Sequence, residues 1–434
     1  HPSILSPLHL LTASDLNAKH SSLIALSHRN FRLLWFGLLI SMSGSLMRNA
    51  AILWHVSLLV PEDRKALALG VVGLVRVLPI IVFSFISGVV ADAGDRRKVM
   101  LVTNSAMLAV SATLAALTLA GLDSLWAVYA LAALGAAIGS FDGPARQALF
   151  PALVPREHLP NAISLNSLMF QTASVLGPML GGLIIAAAGV AWAYVFDVCS
   201  FLFLLASLLL MRDVPQRPAS ERSEISLRAG WEGLKWVFGQ PLIRSSMLLD
   251  FFATFFASAT ALLPIFAQDI LRVGAQGYGL LVSAPALGAM LTSIAMVPLV
   301  ERIEQRGRVL FAAVGVYGLA TIVFGFSTSF WLTFACLFIS GAADMVSTVL
   351  RNIIRQLHTP DGLRGRMTSV NMMFFLGGPQ LGELEAGLVA QAFGPVVSVV
   401  SGGVGCLLAT AWIAWHTPQL MAYRREQATL AATD

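Results

Sequence analysis

Long apolar runs alternate with short polar stretches along the whole chain. Twelve runs reach spanning length, at 32–60, 66–91, 99–121, 125–149, 161–188, 192–211, 241–267, 278–300, 309–328, 331–354, 366–393 and 395–416. A helix needs about 20 residues to cross the roughly 30 Å hydrocarbon core of a bilayer. In lipid each span must satisfy its own backbone hydrogen bonds, which selects helices. The two-residue alternation of a barrel strand is absent. The pattern therefore predicts an all-α polytopic membrane protein with twelve transmembrane helices.

Composition agrees: 57% of the 434 residues are hydrophobic and 12% charged, against roughly 25% charged in soluble domains. The distribution of cations sets an orientation. With both termini on one side, that side carries all but five of the 28 lysines and arginines. Arg64, Lys65 and Arg272 fall in opposite loops, and Arg48 and Arg76 fall within spans. By the positive-inside rule both termini are expected in the cytoplasm. The pI near 9.4 then reflects topology, and nucleic acid is not an expected partner. Residues 1–31 lack the layout of a cleaved signal peptide, and the absence of an initial methionine is expected of a processed or trimmed start. Cys199, Cys336 and Cys406 lie singly in apolar spans, so neither disulfide nor metal site is expected.

The chain repeats itself. "VPREHLPNAISLN" (154–166) lies over "TPDGLRGRMTSVN" (359–371), which aligns Pro155 with Pro360, Ser164 with Ser369 and Asn166 with Asn371. The same register brings Gly177 onto Gly382 and Gly182 onto Gly387. "VVADAGDRRKVML" (89–101) similarly lies over "LVERIEQRGRVLF" (299–311). Two parallel six-helix bundles follow, 32–211 and 241–416, flanked by segments 1–31 and 417–434. The linker 212–240 begins polar and turns amphipathic, with Ile225, Leu227, Leu234, Trp236, Val237 and Phe238 among Arg228, Glu232 and Lys235. It reads as a short helix lying in the membrane interface.

Two local patterns stand out. In "GVVADAGDRRKVM" (88–100), Gly88 allows close helix approach and Asp92 is placed to accept from basic groups or cap the next helix. Arg96, Arg97 and Lys98 can hold the loop on an anionic leaflet or act as a gating latch, echoed by Arg302, Arg306 and Arg308. In "ASVLGPMLGG" (173–182), Gly177 and Gly181 lie four apart and Ala173 extends their face, so a neighbouring backbone can come near. Pro178 removes one ladder hydrogen bond and bends the helix.

With these motifs the chain resembles the major facilitator superfamily over its whole length. The 88–100 stretch is similar to that family's inner-loop motif, with Asp95 where many members carry glycine. Its Asp-Arg-Arg version, with "FDGPARQALFPALVP" (141–155), is similar to the branch of enterobactin-type siderophore and macrolide exporters. Gly177, Pro178, Gly181 and Gly182 match the end of the exporters' antiporter motif, with Ser164 and Ala173 at upstream glycine positions. No arginine occupies 125–145, where many members carry one. The resemblance implies the major facilitator fold, a site between the bundles near mid-membrane, and alternating access.

Ionisable residues inside spans are costly and usually face an interior cavity. They are Arg48, Arg76, Asp142, Asp197, Asp250, Asp344, Glu383 and Glu385. Ser41, Ser45, Arg48 and His55 recur at helical spacing as a polar stripe. With Arg76, Asn166 and Asn371, the residues Ser41, Ser45 and Arg48 are candidates for the substrate cavity. The alternative for Arg48 and Arg76 is pairing with acids across a bundle. Glu383 and Glu385 are two residues apart and cannot both face one cavity; Glu385 lies beside the small face of Gly378, Gly382 and Ala386. Glu383, Asp344 and Asp250 are candidates for proton coupling, with a purely structural salt bridge as the alternative for each; Asp142 and Asp197 read as structural. No nucleotide-binding or metalloenzyme motif occurs, so neither a cofactor nor enzymatic activity is expected.

The expected protein is a monomeric carrier that exports a small organic molecule, a drug or siderophore-like compound, in exchange for protons. A uniporter or importer without proton coupling and a non-transporting scaffold or sensor are the alternatives.

Overall fold

A computed structural model describes residues 23–93, 95–212, 234–360 and 363–425. Twelve long helices occur among them: α1 Arg29–Leu59, α2 Lys65–Ala93, α3 Arg96–Leu119, α4 Leu125–Leu149, α5 Leu159–Ala188 and α6 Val190–Leu210, then α7 Pro241–Phe256, α8 Gly274–Leu299, α9 Arg306–Phe326, α10 Phe330–Leu357, α11 Arg364–Phe393 and α12 Pro395–His416. They alternate in direction, so α1 begins on the face where α12 ends. We call this the terminal face, and the other the distal face.

Eleven spans are long and apolar enough to cross a bilayer, α7 counting with the turns through Ile270. The twelfth, α11, has spanning length, 30 residues, but carries Gln380, Glu383, Glu385 and Gln391 in its distal half. Its polarity has a structural use, described below.

The seventh span departs from expectation. One continuous helix over 241–267 was the reading of the apolar run; α7 instead stops at Phe256. A 3-10 turn at Ala259–Leu262, one α turn at Leu263–Ile265 and a π turn at Phe266–Ile270 follow. Pro264 cannot donate to the carbonyl four residues earlier. Ser258, at the break, donates to the Pro379 carbonyl of α11 at 2.9 Å. The hydroxyl thus ties the break to α11.

The linker lies outside the described residues over 213–233, and with it Ile225, Leu227, Arg228 and Glu232. Residues 234–239 are helical. Val237 is buried against Ile243 and Met247 of α7 and Met367 and Val370 of α11, so this turn docks on the second bundle.

Buried apolar residues reveal the arrangement of the halves. One cluster joins both bundles at the distal end, from Met47–Val56 of α1 and Ala66–Val72 of α2 to Tyr278 of α8 and Ala386 of α11. Towards the terminal face the clusters are separate, one in the first bundle and two in the second. At the terminal face His28 and His158 share a 2.9 Å hydrogen bond that pins the start of α1 to that of α5. Burial, and then the neighbouring imidazole, holds His28 below the ordinary imidazole range.

Candidate functional site

Hydrogen bonds and close glycine contacts join the bundles in the distal half. Two glycine pairs carry the closest approaches. A Cβ on Gly70 of α2 would stand 2.8 Å from the Gly387 Cα of α11, and one on Gly182 of α5 would stand 2.7 Å from the Gly279 Cα of α8. Gly182 and Gly387 are the repeat-related pair of the sequence, and α2 and α8 are the second helices of their bundles. The two contacts are therefore the same joint made twice around the pseudo-twofold axis.

Polar groups fasten the rim of this joint. Lys65, 9% exposed at its side chain, reaches Asp269 at 3.2 Å and Gln268 at 3.2 Å on the π turn. Gln268 donates to the Ser57 hydroxyl at 2.7 Å, and Tyr278 donates to the Ala50 carbonyl at 2.9 Å. Gln391 of α11 bonds the Asp63 carbonyl and accepts from the Leu67 amide. Glu62, Asp63, Lys65, Gln268, Asp269 and Arg272 line a vestibule of about 610 Å³ above it. The contacts between the bundles thus close the distal mouth.

The antiporter-like stretch sits in this framework. Ala173, Gly177, Gly181 and Gly182 are buried on α5. Gly177 lies against α1, where a Cβ would meet the Ser43 carbonyl at 2.6 Å and Leu46 Cβ at 2.9 Å. Gly181 lies against Met47 of α1, and the Pro178 carbonyl lies against Gly279 of α8. One turn of α5 thus packs on its own bundle and on the other. Gly177→Val is expected to lower transport at least about tenfold, since a branched side chain must displace α1 backbone. Uptake into inverted vesicles measures this; wild-type rates would refute it.

The polar stripe of α1 turns toward α6. Ser41 is buried, Ser45 is half-buried, and Gly44 lies against Ser200 and Asp197. Arg48 pairs with Asp197 at 2.8 Å and donates to Ser111 at 2.9 Å; Ser111 donates to the same Asp197 oxygen at 2.6 Å. The guanidinium lies 5.6 Å from the Phe201 ring centroid. His55 meets Tyr194 and Asp123. Arg48 therefore ties α1, α3 and α6 together in this state. Asp142 accepts from Thr103 and Asn104.

The second bundle has a counterpart. Arg351 of α10, 1% exposed, pairs with Asp250 of α7 at 2.8 Å and, more loosely, with Asp344 at 3.4 Å. Ser347 and Thr348 accept from it as well. Arg355 bonds Asn371, Asn352 and the Arg351 carbonyl. Asp344 remains 43% exposed at its side chain whereas Asp250 is at 5%. Of the repeat-related asparagines, Asn371 is engaged by Arg355 while Asn166 is half-buried on α5.

Arg351 and Arg355 were missed by sequence reading, because they lie near the terminal end of span 10 and counted as flanking cations. Their signal was helical spacing: Asp344, Ser347, Thr348, Arg351 and Arg355 share one face.

At the centre, Glu383 of α11 faces Gly73 of α2, where a Cβ would meet Glu383 Cβ at 2.8 Å and Oε2 at 3.1 Å. Arg76, one turn away on α2, donates to the Asn49 carbonyl at 3.3 Å and stands within electrostatic reach of Glu383. Glu383 and Arg76 thus belong to opposite bundles of one interface. Glu385 is half-buried.

Of the 88–100 motif, the Gly88 and Asp92 side-chain environments lie outside the described residues. Asp95 caps α3, accepting from the Arg97 and Lys98 amides. Arg96 donates to the Ala148 carbonyl at 2.7 Å, and Arg97 to the Leu208 and Leu209 carbonyls at 2.8 and 3.1 Å. Both arginines thus cap the carbonyl ends of α4 and α6, a favourable place for cations. Lys98 is exposed. In the echo, Arg302 is in the α8–α9 loop, Arg306 is buried and Arg308 donates to Gln305. No group of three or more His, Cys, Asp and Glu is placed for a metal among the described residues.

Two six-helix bundles joined at one end around a charged interface define a transporter of the major facilitator type. The chain belongs to the family described as transmembrane secretion effector, whose model matches residues 20–431. It is 28% identical to the enterobactin exporter EntS of Escherichia coli O1:K1 over 349 residues, 80% of this chain and 83% of that one. The same identity and coverage relate it to the enterobactin exporter EntS of Shigella boydii serotype 18. Among solved structures it is similar to a POT family transporter in complex with 5-aminolevulinic acid, with TM-score 0.72 and 10% identity over 90% of this chain and 96% of that one. It is also similar to a bacterial homologue of the iron transporter ferroportin in the inward-facing state, with TM-score 0.67 and 17% identity over 91% and 99%.

Proposed function

We propose that this protein exports a small siderophore-like or drug-like molecule from the cytoplasm by alternating access, driven by entry of protons. The terminal face is then cytoplasmic, and the state described is open inward. The observation that carries this reading is the asymmetric joint: paired glycines, the Lys65 rim and a shared apolar cluster close the distal mouth, while towards the terminal face the buried apolar clusters of the described residues stay within one bundle each. Similarity to enterobactin exporters supports a compound of that size and amphiphilic character. Glu383 is the coupling acid. It is a carboxylate set within the membrane span at the interface between bundles, whereas Asp269 crosses that interface at the rim in a pair with Lys65, and Asp197 and Asp250 are committed to Arg48 and Arg351. Arg76 balances Glu383 when it is ionised, and Asp344, partly exposed and only loosely bonded to Arg351, remains available to substrate or proton.

Counterflow in proteoliposomes, with enterobactin as the first probe, tests transport, and an imposed pH gradient tests coupling. A gradient is expected to accelerate net export, and equal rates with and without it would remove the proton from the mechanism. Glu383→Gln is expected to abolish the acceleration and to spare counterflow, which moves no net charge through the acid. Acceleration that survives in Glu383→Gln would end its assignment.

A further inference from the structure

Two buried acceptors on one turn of α11 have no donor. They are the side-chain oxygen Oε1 of Gln380 and Oε2 of Glu383. Three residues apart on a helix, they share a face. That turn is covered by Gly73 of α2, where a Cβ would stand 2.4 Å from the backbone carbonyl oxygen of Gln380 and 3.1 Å from Glu383 Oε2. Nothing larger than hydrogen fits between α2 and this turn. The charged and titratable groups facing the acid from its neighbours are Arg76 on α2 and Tyr278 on α8, with Arg48 of α1 in range of Arg76. Arg76 and Tyr278 already donate elsewhere, to the Asn49 and Ala50 carbonyls.

We infer that Gln380 completes the proton site: Glu383, when protonated, donates through Oε2 to Gln380 Oε1, and Gly73 seals the pair as the distal mouth closes. The inference rests on Glu383 as the coupling acid and adds the residue that receives its hydrogen bond. A buried acceptor left bare is costly. One proton converts Glu383 from acceptor to donor and satisfies both atoms together. An ionised Glu383 leaves both bare and sets a charge into a joint too tight for water. The joint therefore closes readily only around the neutral acid. A proton taken up from outside while the distal mouth is open promotes closure and returns the carrier to its inward-open state, the direction an exporter needs. Gln380 acts here as a positioning residue, through Glu383.

Infrared difference spectroscopy of the purified, reconstituted protein tests this without a substrate. A protonated-carboxyl band that vanishes in Glu383→Gln identifies the acid. In Gln380→Met, close in shape but without the acceptor, that band is expected at higher wavenumber. Acceleration of enterobactin export by a pH gradient is expected to fall about tenfold in Gln380→Met, the weight of one buried hydrogen bond. Counterflow is expected to stay within about twofold of wild type, since a factor of two is only a few tenths of a kcal/mol. Gln380→Ala gives the same readings should the methionine variant not fold. An unmoved band with unchanged gradient response in a folded variant overturns the role of Gln380 and leaves Glu383 in place. Loss of the response in neither Gln380→Met nor Glu383→Gln overturns both. Acceleration by a sodium gradient in place of a proton gradient overturns the proton as the missing partner.

Discussion

Gly70→Trp is expected to reduce transport to about a hundredth of wild type or less and to hold the outer mouth open. The reason is the geometry of the distal joint. A Cβ on Gly70 already stands 2.8 Å from the Gly387 Cα and 3.0 Å from the Glu383 carbonyl. All three nearest obstacles are backbone, which cannot swing aside as a side chain does. An indole there excludes the closed joint, and reversing a two-state equilibrium from 99:1 to 1:99 takes about 5.5 kcal/mol. Folding should survive, because α2 and α11 belong to different bundles with their own buried clusters. The measurement is labelling of a cysteine placed at Ala50, buried beneath Tyr278 at the joint, with an impermeant reagent added on the distal side. Labelling should rise sharply in Gly70→Trp and remain at background in Gly315→Trp, whose Cβ direction is open. Equal labelling in both would show that the glycine joint does not gate the mouth. Gly279→Trp, the symmetry-related change, should behave in the same way, since its nearest obstacles are likewise backbone.

The second large effect concerns stability. Asp197→Ala is expected to lower the stability of the first bundle by about 3–5 kcal/mol, the usual consequence of stranding one member of a buried ion pair. Asp197 is fully buried and holds both Arg48 and Ser111, so its loss leaves a guanidinium in the bundle with only a hydroxyl for company. A charge in that setting has no access to bulk water, and lipid offers it nothing. Thermal unfolding in detergent reads the loss directly. The double variant Arg48→Met, Asp197→Leu should recover most of it, because two well-packed apolar side chains replace the pair. It also separates the two roles open to Arg48. Normal transport in a recovered double variant assigns the pair to holding α1, α3 and α6 together, whereas stable protein without transport assigns Arg48 to the substrate.

Much of this site was legible before any coordinates. Hydrophobic run lengths placed eleven of the twelve spans within a few residues of their observed ends. The register relating Gly182 to Gly387 already marked two of the four glycines that meet at the joint. What run length missed was the break after Phe256, because Pro264 and Ser258 interrupt a helix without interrupting an apolar run. The reading of charges was less successful for a related reason. Spacing along α1 grouped Ser41, Ser45, Arg48 and His55 on one side, yet it carries no information about what lies opposite. Asp197, Ser200 and Tyr194 of α6 decide that, and they are some 150 residues away in the chain. Arg351 was hidden by the same limit: near the end of a span, a cation obeying topology and a cation buried against Asp250 look alike.

The sequence by itself determined the spans, the two-fold repetition and the side on which cations accumulate. Each of these follows from local hydrophobicity and from the energy of moving charge through lipid, and so is written in composition and order. Only the tertiary structure decided which mouth is shut, which glycines touch and which acid is left without a donor. Those depend on how two rigid bundles meet, a relation between distant residues that no periodicity along the chain records.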